Sequence, residues 1–88
     1  MSQKTLSEQL ADLKSEIDVL EERHASARER LDGLVSAIEH QLVNMDDKAH
    51  RKSLTEEIRT YIDDFETLHP DIIGVLDKIS VTLSNMGI

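Results

Sequence analysis

Four residues near the middle of the chain, His40, Asp46, Asp47 and His50, are of the types that ligate divalent metals. Their spacing matches no established zinc or calcium loop, so they read as a solvated turn and no metal or cofactor is assigned. Beside them Lys48, His50, Arg51 and Lys52 form the only basic cluster. It is suited to neutralising the end of a preceding helix, where the macrodipole favours cations. His24 has the chemistry to report pH through an interface, because neutral imidazole tolerates burial better than imidazolium. His69 precedes the single proline and reads as kink or cap chemistry. Glu56, Glu57, Asp63, Asp64 and Glu66 make an acidic face. Such a face reads first as a solvated helix surface and second as a mimic of nucleic acid.

Positioning these groups falls to helices. Twelve positions, Leu6, Leu10, Leu13, Ile17, Leu20, His24, Ala27, Leu31, Leu34, Ile38, Gln41 and Met45, keep a strict 4-3 alternation with no proline among them. That is the stripe of one long amphipathic helix or coiled coil, and the spacing predicts helix 1 over about 5–45. Thr5-Leu6-Ser7-Glu8 has the form of a capping box at its start, and Ser53-Leu54-Thr55-Glu56 has the same form for a second helix over about 53–68. The polar segment from Asn44 to Lys52 is expected to hold the connection. Pro70 suits the first position of a third helix, over about 70–86, with Asp71 at its positive end. Gly87 and Ile88 fit a Schellman ending.

The expected fold is all-α, in one domain over 1–88, with helix 1 folded antiparallel against two shorter helices kinked at Pro70. Facing residue numbers then sum to about 98, which sets the dent at His24 and Ala27 against the bend at Pro70. Val35, Leu42, Ile62, Ile73 and Val75 exceed what one seam covers. Pairing two hairpins into a four-helix-like homodimer would bury them. Interface candidates are therefore Leu13, Ile17, Leu20, His24, Leu31, Leu34, Val35, Ile38, Leu42, Ile62 and Ile73. A parallel pairing of helix 1 would set Glu16 against Glu21 and Arg23 against Arg28, so an antiparallel dimer is favoured.

Composition agrees with a lean helical bundle: 39% hydrophobic, 32% charged and 2% aromatic among 88 residues, with one Pro and three Gly. The charge of −8 is spread evenly over both halves. That disfavours nucleic acid and anionic membrane as partners and leaves protein. With no cysteine there is neither disulfide nor thiolate chemistry. The polar start of the chain and the short apolar runs lead us to expect a cytoplasmic protein.

Phe65-Glu66-Thr67-Leu68-His69-Pro70, then Ile72, Leu76, Ile79, Leu83 and the terminal Met86-Gly87-Ile88, resemble the F-E-x-x-H-P and M-G-I ending of a bacterial domain-of-unknown-function family, number forty-four-oh-four. The resemblance covers roughly residues 54–88. It implies a small helical bacterial protein and supplies no functional residues. The helix outline is also similar to the small all-helical chorismate mutases, whose chemistry needs cations converging on a dicarboxylate. Here Arg23, Arg28 and Arg30 lie amid acids and Lys14 stands alone, so no enzyme is expected. The expected function is non-enzymatic oligomerisation or protein interaction. The alternative is an acidic regulator that occupies the basic site of a nucleic-acid-binding protein.

Overall fold

The computed structural model describes residues 2–20, 24–68 and 70–86. Four helices follow one another: α1 (Ser2–Asp18), α2 (Ala25–Val43), α3 (Lys48–Phe65) and α4 (Pro70–Met86). No strand occurs among the described residues. α1 packs on α2 and α4, and α3 packs on α2 and α4, while the two diagonal pairs stay apart. This is an up-down-up-down four-helix bundle. Its extents are 37 × 21 × 18 Å.

The all-α class stands, but helix 1 is corrected. α1 ends at Asp18 in a tightened turn, with Val19 N–H donating to Glu16 O (3.3 Å) and Leu20 N–H to Ile17 O (3.0 Å). α2 begins afresh after His24. A continuous rod of about forty residues, roughly 60 Å long, would leave its stripe needing an equally long partner. Folding the rod in half turns both halves of the stripe onto one core. Leu6, Leu10, Leu13 and Ile17 from α1 meet Ala27, Leu31, Leu34 and Ile38 from α2 there, none more than 5% exposed. Leu54, Ile58 and Tyr61 of α3 and Ile72, Leu76, Ile79 and Leu83 of α4 complete it.

The expected pairings survive the break. α3 lies along α2 and α4 along α1, as Arg30 with Asp64 (2.9 Å) and Thr82 with Gln9 (2.9 Å) show. The register falls several residues short of the expected one, because the turn closes on Met45 and Asp46 rather than near Ala49. The C-terminal ends of α1 and α3 lie at the same end of the bundle.

Neither expected capping box starts a helix. Thr5 lies inside α1, and Ser53 lies inside α3, which begins at Lys48. The cap of α3 is Asp47, whose Oδ1 accepts from the His50 amide at 3.0 Å while its carbonyl takes the Arg51 amide. The earlier start is favoured because it brings the Arg51 side chain into the bundle, 7% exposed, where Nη1 donates to Met45 O. Asp47→Ala should lower stability by about 1 kcal/mol, read as a fall in thermal midpoint, and Asp47→Asn should restore most of it. Pro70 does open α4, with Asp71 in its first turn. The expectations for His69, Gly87 and Ile88 fall outside the described residues.

The accessible surface is 5463 Å² for a chain of 10.0 kDa. A folded monomer of that mass is expected to expose roughly 5200 Å². The radius of gyration is 12.3 Å. A compact chain this long has one of roughly 12 Å. The bundle is therefore closed within one chain. Val35, Leu42, Ile62, Ile73 and Val75, for which a second hairpin was invoked, are half-buried against the chain's own core.

Candidate interaction site

The turn end of the bundle gathers the polar groups singled out above. Gln41 is fully buried; its Nε2 donates to Asn44 O (3.2 Å) and its Oε1 lies 2.7 Å from His50 Nδ1. The His50 ring stands 4.4 Å from that of His40, tilted by 56°. The structure thus joins the two histidines but not the carboxylates. Among the described residues no three His, Asp or Glu groups are placed to hold a metal, and Asp47 is engaged as a helix cap. The basic cluster is split as well: Arg51 is spent on the carbonyl of Met45, while Lys48 and Lys52 are exposed. This network locks the α2–α3 turn. A seam glutamine facing an imidazole nine residues on is visible only once that turn is closed.

The cations weighed for catalysis do not converge in one cavity. Lys14 pairs with Glu39 at 3.3 Å, both exposed. Such a contact is worth little in water. Arg28 is half-buried on α2, and Arg23 falls outside the described residues. Arg30 reaches across to α3, where Nη1 meets Asp64 Oδ2 at 2.9 Å and the guanidinium lies 5.4 Å from the Tyr61 ring and 5.1 Å from that of Phe65. The two rings are 4.6 Å apart. Tyr61 and Phe65 form an i,i+4 aromatic pair legible in the sequence; the arginine resting on them required the register.

Above this cluster an open groove of about 510 Å³ runs between α2 and α3. Its lining includes Leu34 and Tyr61 together with Arg30, Ser53 and Glu57, and Gly33 sits in its wall. A Cβ built at Gly33 meets nothing within 4 Å. The fold itself therefore has no need of a glycine there, although a glycine inside a helix is unfavourable by roughly 0.5–1 kcal/mol relative to alanine. Gly33→Ala should raise stability by about that amount, measured by chemical denaturation. No histidine lines the groove, and its cation already holds a carboxylate. What it offers is shape, some apolar surface and hydrogen-bonding rims.

Tyr61 is 1% exposed, and its hydroxyl has no hydrogen-bond partner. Burial raises its pKa to about 12, against a smaller lowering by the Arg30 charge.

The interface candidates divide into two groups. Leu13, Ile17, Leu31, Leu34 and Ile38 are core residues of the chain itself. Leu20, His24, Val35, Leu42, Ile62 and Ile73 are half-buried. The acidic positions of α3, Glu56, Glu57, Asp63 and Asp64, are exposed, with Asp64 held by Arg30. No helix is long and apolar enough to cross a membrane, among the described residues.

A family model described as Domain of unknown function (DUF4404) matches residues 6–88, which takes in nearly all of α1 and the whole of α2, α3 and α4. The chain belongs to this family. The match reaches far upstream of residues 54–88, on which the resemblance first rested, so α1 and α2 are as much DUF4404 as the proline-started α4. No curated protein and no solved structure matches.

Proposed function

We propose that this DUF4404 protein is a non-enzymatic helical association module, acting by self-pairing and by presenting bundle surface to protein partners. The observation that carries the reading is the groove at Gly33. It is an opening over partly apolar floor that the fold has no need to leave open. It lies at a residue type that weakens the helix. The polar groups with catalytic potential support the same view, since Arg30, Lys14, Gln41 and Arg51 are each engaged in joining helices or closing turns.

Two measurements test it. Light scattering over a dilution series should give a dimer at micromolar concentration, and a monomer throughout removes the self-pairing. Proteins captured from the native cell extract by the wild type should be lost with Gly33→Leu, which fills the groove. Capture unchanged by that substitution places binding elsewhere. The exposed carboxylates Glu56, Glu57, Asp63 and Glu66 favour a second reading, an acidic regulator of a nucleic-acid-binding protein. Its mark is steep loss of partner capture between low and high salt, whereas apolar association is little affected.

A further inference from the structure

We infer that the self-paired form exchanges α1 between two copies: the α1–α2 connection straightens, and α1 of each chain takes its place in the bundle of the other. This rests on the self-pairing just proposed and adds its geometry.

The first ground is phase. The core positions of α1, Leu6, Leu10, Leu13 and Ile17, and those of α2, Ala27, Leu31, Leu34, Ile38 and Gln41, belong to one unbroken 4-3 count that passes through half-buried Leu20 and His24. A hairpin makes no such demand, because a reverse turn lets the second helix start its stripe at any position. A continuous helix does demand it, since every core residue must then lie on one face.

The second ground is the contrast between the two connections at that end of the bundle. Between α3 and α4 the chain carries Pro70, which cannot stand inside a helix without breaking a hydrogen bond. The 4-3 count also slips just past it, between Ile72 and Leu76 in the first turns of α4. Between α1 and α2 the sequence Val19-Leu20-Glu21-Glu22-Arg23-His24 has neither proline nor glycine. Of these two connections, only the one between α1 and α2 is chemically able to become helix.

Exchange costs no packing. Every contact α1 makes in its own bundle is remade in the other, including Thr82 Oγ1 with Gln9 Oε1 and Gln3 Nε2 with Leu42 O at 2.8 Å. The balance therefore turns on the connection and on concentration, the usual conditions for exchange of an element between identical chains. The bond between Gln3 and Leu42 also sets the antiparallel register of α1 on α2. Carried across the dimer, it puts the two-fold axis near residues 22 and 23 and sets Leu20 of one copy beside the partner's His24. Each copy then contributes one straight helix over 2–43, the rod that the sequence alone describes.

The chain has no cysteine, so the exchange is open to a direct test. Gln9→Cys/Thr82→Cys, joined by a short bis-maleimide in the dimer fraction, should give a covalently linked pair of chains on a denaturing gel. A monomer-sized product from a dimeric sample overturns the exchange and leaves self-pairing intact. A sample that never dimerises overturns both. Glu22→Pro should convert dimer to monomer with helix content and melting retained, because a proline there breaks a hydrogen bond inside the straightened helix. A Glu22→Pro protein that stays dimeric likewise overturns the exchange.

Discussion

Leu31→Asp unfolds the protein. Leu31 is wholly buried in the core of the bundle. The change removes a leucine, which alone costs roughly 2–5 kcal/mol in a core, and adds a charge that must either be buried unpaired or take up a proton. A domain of this size is stable by roughly 4–13 kcal/mol, so the loss takes most or all of it. Circular dichroism should show a largely unfolded chain at room temperature or a melting point lowered by tens of degrees. The same holds for Ile38→Asp, also wholly buried. The closed bundle sharpens the expected outcome: because these residues hold the chain's own core together, the damage appears as unfolding and not as release of two intact subunits. A variant that retains wild-type melting would remove the core assignment.

Alkaline pH should destabilise the protein through Tyr61, and Tyr61→Phe should remove that contribution. The phenol is buried, and its pKa rises from 10.0 to about 12. The cause is that burial penalises the charged phenolate. The folded state thus holds this proton more tightly than the unfolded chain does. The stabilisation is fully present below pH 10 and is lost as pH climbs from 10 through 12. Its upper size is roughly 2–3 kcal/mol. Denaturation free energies of wild type and Tyr61→Phe, compared across the alkaline range, should separate as pH rises, the wild type falling progressively below the variant. At neutral pH the variant should be equal to wild type or more stable by up to about 1 kcal/mol. The hydroxyl it removes is buried and unpartnered. Parallel curves for the two proteins would show that the phenol is not confined as described.

Much of the bundle was legible in the residues. Positions spaced by three and four located every core helical face, Pro70 marked the start of α4, and the polar run after Asn44 contained the turn. The pairing of α2 with α3 and of α1 with α4 followed from matched lengths. The capping boxes misled for a definite reason. A Ser or Thr three residues before Glu is as compatible with a helix interior as with a start. Asp47, next to the turn, supplied the actual cap. The groove was illegible for a different reason. Gly33 falls between the seam positions Leu31 and Leu34, but that nothing covers it depends on how α3 passes α2.

The residues by themselves determined that this chain is helical, which face of each helix is apolar, and where proline forbids continuity. Those are properties of neighbours within three or four positions, written in spacing and backbone chemistry. Only the tertiary structure decided that the stripe from Leu6 to Gln41 breaks after Asp18. No local signal asks for that break; it arises because doubling back lets the two halves of the stripe face each other as well as α3 and α4 in one core, and that burial outweighs the hydrogen bonds of one more helical turn.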